Sequence, residues 1–355
     1  MLIRTYKEGD EEKILELYKA VYPERKYDKG LWMEWWRWMY KDNPAGNGKI
    51  WFAEHTGRIV GQSAIIPVVM KIGAEAVTGF QSIDTMTHPS YRRQGIYETL
   101  ANKKYAEAAQ DGIHIGYSFP NENSYAIAIR KLSWFDVAAM QVLLKPLNWT
   151  NALKVRIKNK FLLKLGGTSG NLGDKIFYRA KRAPAVNGLT IAQVSSFDER
   201  INELWTKVSS QYHIMVVRNK DYLNWRYCAV PDVNYSIYIA EKGGQICGYL
   251  VFRCMQRQEI EVGIMFDIFA QSEDIAQRLV SKATEHCMRE KVDLIYYSAI
   301  ANKTYIRAFR KNGFISVPFI KGGRFCAYSS ASHISREFLR DRQNWLVQLG
   351  DSDMI

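Results

Sequence analysis

Residues 85–97 read Thr85-Met86-Thr87-His88-Pro89-Ser90-Tyr91-Arg92-Arg93-Gln94-Gly95-Ile96-Tyr97. A strand expected over Gly79–Met86 leads into this stretch. A run from Tyr97 to Ala109 leaves it, with Leu100 and Tyr105 among its apolar positions. The order is strand, short basic loop with a glycine, helix start. That order builds an anion site, because the first turn of a helix has free N–H groups and the dipole favours negative charge there. Gly95 lets an anion come close to the backbone. Arg92 and Arg93 add charge-assisted donors.

Upstream, Ile14, Leu17, Tyr18 and Val21 recur at helical spacing and predict an amphipathic first helix, with Asp10 as its N-cap. A Trp-rich segment follows over residues 31–40. Two strands, Lys49–Glu54 and Ile59–Val69, are expected around a turn at His55-Thr56-Gly57. Downstream, a strand over Ile113–Phe119 precedes a helical stretch within Asn121–Trp134.

With these parts in this order, residues 2–140 resemble the GNAT superfamily of acyl-CoA N-acyltransferases. The family loop reads Arg/Gln-x-x-Gly-x-Gly/Ala, and Arg92-x-x-Gly95 matches its first part. Tyr97 stands where Gly or Ala is usual. The resemblance implies acetyl-CoA or another acyl-CoA as co-substrate and no metal. It assigns the cofactor to Thr85, Met86, Thr87, Arg92, Arg93, Gln94, Gly95, Ile96, Tyr97 and Asn123. The pantetheine arm would pair with the strand before the loop like an added β-strand.

The chain also repeats itself. Slid by 187 residues, Ile14, Leu17, Tyr18 and Val21 fall on Ile201, Leu204, Trp205 and Val208. Trp38 and Tyr40 fall on Trp225 and Tyr227, and Ala53-Glu54-x-x-Gly57-x-Ile59-x-Gly61 falls on Ala240-Glu241-x-x-Gly244-x-Ile246-x-Gly248. Later, Ile83-Asp84 matches Phe266-Asp267, and Asn123 matches Asn302. These coincidences predict two tandem GNAT-type domains in an α/β (α+β) chain, each a mixed, largely antiparallel twisted sheet flanked by helices. The expected division is a catalytic domain over 1–150, a basic linker over 151–188, a degenerate copy over 189–330 and a helical tail over 331–355. In the second copy the phosphate loop reads Ala270-Gln271-Ser272-Glu273-Asp274-Ile275, with no arginine or glycine and two acids. Only the first copy is therefore expected to bind CoA. Tandem proteins such as the Fem-type aminoacyltransferases are similar in this architecture.

The implied chemistry is attack of a neutral amine on a thioester. It needs a base, an oxyanion donor and a means of stabilising the leaving thiolate. Asp84 is the nearest acid before the loop, read either as a base or as a structural carboxylate like its twin Asp267. His88 is a base or a turn residue. The tyrosine that often serves the leaving thiolate in the family is missing by linear match, which leaves Tyr125 or Tyr97 to take its place. Trp32, Trp35 and Trp36 lack aromatic twins and are the acceptor-binding candidates, against a reading as core.

The remaining composition narrows the classes. Of 355 residues, 47% are hydrophobic and 24% charged, which excludes a disordered chain. The longest uncharged apolar run, Ile59–Met70, is too short to span a bilayer, and the N-terminus lacks the apolar stretch of a secretory signal. Five cysteines without a C-x-x-C argue against a disulfide framework or a zinc site, so a reducing cytoplasm is expected. The net charge of +13 favours anionic partners. Nine basic residues against one acid lie within 151–188, interleaved with apolar ones. That pattern is read as a linker packed on the domains or as an arm making peripheral contact with an anionic membrane or RNA. The leading functional expectation is N-acetyl transfer to a small-molecule amine, an amino sugar or amino acid derivative. The alternatives are a Fem-like transferase using aminoacyl-tRNA and a non-catalytic acyl-CoA-binding module.

Overall fold

The computed structural model describes residues 1–154, 185–300, 302–316, 320 and 322–353. The first half runs β1 (Leu2–Thr5), α1 (Glu11–Val21), α2 (Lys29–Tyr40), β2 (Lys49–His55), β3 (Arg58–Ile72), β4 (Glu75–Thr87), α3 (Ile96–Gln110), β5 (Ile115–Ser118), α4 (Glu122–Lys131), β6 (Phe135–Ala139), β7 (Gln141–Pro146) and α5 (Trp149–Lys154). The second runs β8 (Leu189–Val194), α6 (Arg200–Ser209), β9 (Ile214–Val216), α7 (Lys220–Tyr227), β10 (Ser236–Lys242), β11 (Gln245–Arg257), β12 (Ile260–Ala270) and α8 (Glu273–Arg289). It ends with β13 (Leu294–Ala299), α9 (Lys303–Lys311), β14 (Ile315–Ser316), β15 (Arg324–Ser329) and α10 (Arg336–Arg340).

The strands form two mixed sheets. One has the order β1-β2-β3-β4-β5-β15-β6, with β9 added to the far end of β3; the other has β14-β7-β13-β12-β11-β10-β8. The pairs β4–β5 and β12–β13 are parallel, and every other pair is antiparallel. The sheet order crosses the expected boundaries at 150 and 189. Strand β7 lies in the second sheet and β15 in the first, so each half donates a strand to the other.

Both hairpins turn as expected. Thr56 and Gly57 take φ of 49° and 78°, and Gly243 and Gly244 take 58° and 77°. Two successive positive φ values match the right-handed twist of the strands they join. The β3 strand alternates faces with period 2. Ala64 and Ile66 pack with Ile14, Leu17 and Trp36 of α1 and α2, while Ile65 packs with Leu100 and Tyr105 of α3.

The halves meet across a reciprocal contact. Trp38 and Trp225 stack with centroids 4.9 Å apart. Trp38 Nε1 donates to the Trp225 carbonyl (2.8 Å), and Trp225 Nε1 donates to the Trp38 carbonyl (3.0 Å). Replacing Trp38 by Phe keeps a ring but orphans the buried Trp225 carbonyl. Chemical denaturation should show a loss of about 1–3 kcal/mol; a loss under about 0.5 kcal/mol would mean the Trp38 Nε1 hydrogen bond contributes nothing net.

Three local expectations are corrected. Asp10 sits at the start of α1 but caps no helical N–H; its carboxylate takes the Arg4 guanidinium (2.6 and 2.8 Å) and the Lys7 N–H (2.8 Å). The expected helical tail over 331–355 is α-helical only near its start, ending at Arg340. After the short α10, Trp345 to Asp351 run buried into the second sheet. The third is the match of Asn123 with Asn302: Asn121, not Asn123, accepts the Ser124 N–H (3.0 Å) and caps α4, the role Asn302 plays for α9. The expected basic arm lies mostly at 155–184, outside the described residues. No described helix is long and apolar enough to cross a membrane.

Candidate active site

Strands β4 and β5 pair only at Phe80–Gly116 and Gln81–Tyr117. Beyond that point Ile83 to Thr87 have β3 on one side, and among the described residues no strand pairs on the other. This one-sided stretch carries a bulge: Gln62 opposes Met86 and Ala64 opposes Ile83, so Ser63 faces both Asp84 and Thr85. A bulge leaves a residue out of the ladder and re-aims its side chain. Asp84 takes φ +47°, a conformation Asp and Asn tolerate better than other side chains.

The loop follows at once. His88 caps the short turn Pro89–Tyr91, its Nδ1 accepting the Ser90 N–H at 3.3 Å. Burial and the nearby Arg58 and Arg92 lower its pKa, which favours the neutral ring that can accept this hydrogen bond. Arg93 and Gly95 both take positive φ, 63° and 74°. Gly95 is the N-cap of α3 and brings no capping side chain, so the first N–H groups of that helix stay open. A Cβ built on Gly95 would meet nothing within 4 Å. Arg92, Arg93, Gln94 and Gly95 are exposed, and no described carboxylate pairs with either arginine. The loop is thus an open, positively charged cradle directly below the one-sided strand.

Asp84 faces α1 and α2. The Tyr40 hydroxyl donates to its Oδ2 at 2.5 Å, and the Tyr18 hydroxyl lies near the same carboxylate. Burial raises the Asp84 pKa, partly offset by those two hydroxyls. Asp353, from the tail, is close enough to feel Asp84. Crowding by surrounding protein and then that charge push it up to about 6, although solvent still touches its side chain.

On the opposite face a buried lysine supports the bulge. Lys104 Nζ donates to Ser63 Oγ and Ser82 Oγ, both at 2.8 Å, and Ser63 Oγ lies 3.1 Å from Thr85 Oγ1. Burial pulls the Lys104 pKa down to about 7. This residue was not anticipated, yet Leu100, Lys104 and Ala108 share one helical stripe, which places the lysine on the buried face.

The other candidates divide. Trp32 packs edge-on against Tyr18, and Trp36 lies 5.4 Å from the Tyr40 ring; both are buried beside the Asp84 face, with Trp35 partly buried. Tyr97 and Tyr125 belong to the α3–α4 face and do not approach this cluster. Burial pushes Tyr97 up to about 12. Tyr125 lies under the Arg324 guanidinium, 4.6 Å from its ring centroid. Met86 is buried, Thr85 and Thr87 are partly exposed, and Asn123 is exposed on the first turn of α4.

The second half has the same opening and closes it. Strands β12 and β13 pair from Val262–Leu294 to Met265–Tyr297. Past that point the tail enters. Gln348 Oε1 accepts the Ile268 N–H and the Tyr297 hydroxyl, both at 3.1 Å, and its Nε2 donates to the Ile268 carbonyl at 2.9 Å. Ile300 N–H reaches the Val347 carbonyl at 2.9 Å. Ser272 caps α8, and Glu273 at its start pairs with Arg307 and Lys311. Asp267, the twin of Asp84, is held by Arg218 at 3.1–3.2 Å, by Tyr227 and Tyr249, and by Gln348 Nε2 at 2.6 Å.

Among the described residues no group of His, Cys, Asp or Glu is arranged to hold a metal ion. Residues 2–131 match the acetyltransferase (GNAT) domain family. No curated protein matches the sequence. Among solved structures the chain resembles a GCN5-related N-acetyltransferase from Anabaena variabilis ATCC 29413, with a TM-score of 0.64 at 12% identity over 92% of this chain and 72% of that one. A conserved protein of unknown function from Enterococcus faecalis V583 gives the same figures. The N-myristoyltransferase of Saccharomyces cerevisiae, solved with bound myristoyl-CoA, has a TM-score of 0.57 at 12% identity over 93% and 80% of the two chains. At such identities the likeness concerns the fold. Residues 2–131 are thus similar to an acetyltransferase (GNAT) domain, and the fold of two mixed sheets flanked by helices resembles those solved structures.

Proposed function

We propose that the chain is an acyl-CoA-dependent N-acyltransferase, an N-acetyltransferase acting on the primary amine of a small molecule, with its chemistry in the N-terminal half. The observation that carries this reading is the contrast between two equivalent openings. The first half offers an uncapped helix start flanked by unpaired arginines below a one-sided strand. In the second half the tail fills the opening and a serine caps the helix. The two halves are read as copies of one unit, a view supported by the common spacing of 187 and the reciprocal Trp38–Trp225 contact.

In this reading the N–H groups of Ile96 and Tyr97, with Arg92, Arg93 and Gln94, hold the pyrophosphate, and Gly95 keeps the approach clear. Thr85, Met86 and Thr87 offer the strand edge to the pantetheine amides, and Asn123 borders the same opening. The acceptor amine gives up its proton, to the Asp84 carboxylate or to water, and its nitrogen forms a bond to the thioester carbonyl carbon. A backbone N–H of the bulge steadies the oxyanion. The C–S bond then breaks and the thiolate leaves. Tyr97 holds its proton too tightly, at about 12, to transfer it fully to a thiolate of ordinary basicity; it and Tyr125 can steady the sulfur by hydrogen bonding.

The test is calorimetric titration of the full chain with acetyl-CoA, followed by transfer assays on an amine panel. Replacing Arg92 and Arg93 together by Ala should weaken binding by about ten- to a hundredfold and flatten its salt dependence. No saturable CoA binding by the intact chain, with capture of charged tRNA instead, would move the assignment to aminoacyl transfer.

A further inference from the structure

The two halves differ most sharply at one pair of aspartates. Asp84 and Asp267 each accept a hydrogen bond from the equivalent tyrosine, Tyr40 at 2.5 Å and Tyr227 at 3.2 Å. In the second half a cation completes the arrangement. The Arg218 guanidinium, fully buried, pairs with Asp267 and also with Asp351 at 3.0 Å. At the spacing of 187 the residue in the place of Arg218 is Leu31, which is exposed. Among the described residues no cation stands within ion-pair distance of Asp84.

A second observation bears on the same place. Buried polar atoms without a hydrogen-bond partner gather on the α1–α2 face of the first sheet: Trp32 Nε1, Trp36 Nε1 and both amide atoms of Gln62. Tyr18 is 6% exposed and lies beside Asp84, and Gln62 is fully buried on the strand that faces the bulge. In the second half the twin of Gln62 is Tyr249, whose hydroxyl reaches Asp267 at 3.1 Å. Buried polar groups are nearly always satisfied, so a cluster of unsatisfied ones around an unpaired carboxylate marks a place for a polar ligand. Tyr18, Tyr22, Tyr27 and Trp32 supply aromatic walls, since their rings contact one another through Tyr18. Such walls favour a cation on an apolar stem.

We propose that Asp84, Tyr40 and Tyr18 form the docking site for a protonated alkylamine, so that the acceptor enters as an ammonium on an aliphatic chain and takes the place that Arg218 fills internally in the other half. This rests on the acyltransferase reading for the identity of the ligand as acceptor, but not for its binding. Asp353 of the tail adds negative potential near the same carboxylate. A neutral alcohol of the same shape, which brings no charge to Asp84, is rejected.

The experiment titrates the full chain with n-butylammonium chloride and with n-butanol at constant ionic strength, in the presence and absence of acetyl-CoA, followed by NMR or calorimetry. The wild type should bind n-butylammonium and not n-butanol. Asp84→Asn keeps a side chain that tolerates positive φ and still accepts the Tyr40 hydroxyl. It should weaken n-butylammonium binding by about ten- to a hundredfold while leaving acetyl-CoA affinity within about twofold. Tyr18→Phe should give a smaller loss in the same direction. Equal binding of the alcohol and the ammonium, or an unchanged Asp84→Asn variant, overturns the proposal even where acetyl-CoA binds. Should Asp84→Asn fail to fold, the wild-type comparison of the two probes decides by itself. Ammonium binding without any CoA affinity would uphold the site and remove the acyltransferase assignment.

Discussion

Replacing Gly95 by Glu should lower the affinity for acetyl-CoA by about a hundredfold or more while leaving the chain folded. Three effects add. The residue sits at φ +74°, so any side chain introduces a strain of about 1–2 kcal/mol. A Cβ there points into open space, so the strain is not compounded by a clash within the protein, and the cost in stability stays small. The new carboxylate then stands at the mouth of the helix. Against a phosphate about 4 Å away it costs between about 1 kcal/mol in water and about 4 kcal/mol near a protein surface. A hundredfold change in dissociation constant corresponds to about 2.7 kcal/mol, within that range. Gly95→Ala separates the contributions, because it keeps the strain and the bulk and adds no charge; its loss should be distinctly smaller. Isothermal titration of the three proteins, with melting curves as a check on folding, decides the matter. Tight binding by Gly95→Glu would place the CoA site elsewhere.

Gly95 was legible because its requirement is local. A helix start that must stay open needs a residue without a side chain, and the adjacent arginines mark the charge. The hairpins were legible for the same reason, since Thr56-Gly57 and Gly243-Gly244 state their turn geometry in two residues. The exchange of β7 and β15 was not. Strand pairing between residues roughly 150 to 190 positions apart leaves no mark in either segment, and Gln141–Pro146 would suit either sheet. The tail misled because Trp345, Leu346 and Leu349 form a short apolar run whose period is ambiguous between helix and strand.

Asp84 shows the limit of arguing from a twin. Its match with Asp267 favoured a structural role, and the match holds down to the tyrosine that each one accepts from. What differs is the cation, and the cation comes from a position just before α7 that local spacing does not connect to Asp267. The bulge and the positive φ at Asp84 are set by the partner strand and are equally silent in the sequence. The tryptophans were half legible. Their lack of aromatic twins singled them out, but Trp32 and Trp36 are buried among Tyr18 and Tyr40 as walls.

The largest loss of stability should come from Arg218→Met. The guanidinium is fully buried and joins Asp267 of β12 to Asp351 of the tail, with its Nη1 also donating to the Val216 carbonyl at 2.9 Å. Removing one partner of a buried ionic cluster strands the rest, at a cost of about 3–5 kcal/mol. The sign of the pH dependence follows. Burial raises the Asp351 pKa even with Arg218 pulling it down, so removing the arginine raises it further. A carboxyl whose folded pKa lies above its unfolded value is stabilising below the unfolded pKa and loses that contribution as pH rises through the folded one. The variant should therefore fall further behind the wild type at pH 8 than at pH 5. Adding Asp267→Asn and Asp351→Asn removes the stranded charges and should recover part of the loss and flatten this slope. Because β15 lies inside the first sheet and β7 inside the second, the halves should melt together, and acetyl-CoA binding should disappear at the same temperature as the second half unfolds. A variant that melts within a degree of the wild type at both pH values would show that the Arg218 cluster holds nothing together. Two separated transitions would show that the exchanged strands do not couple the sheets.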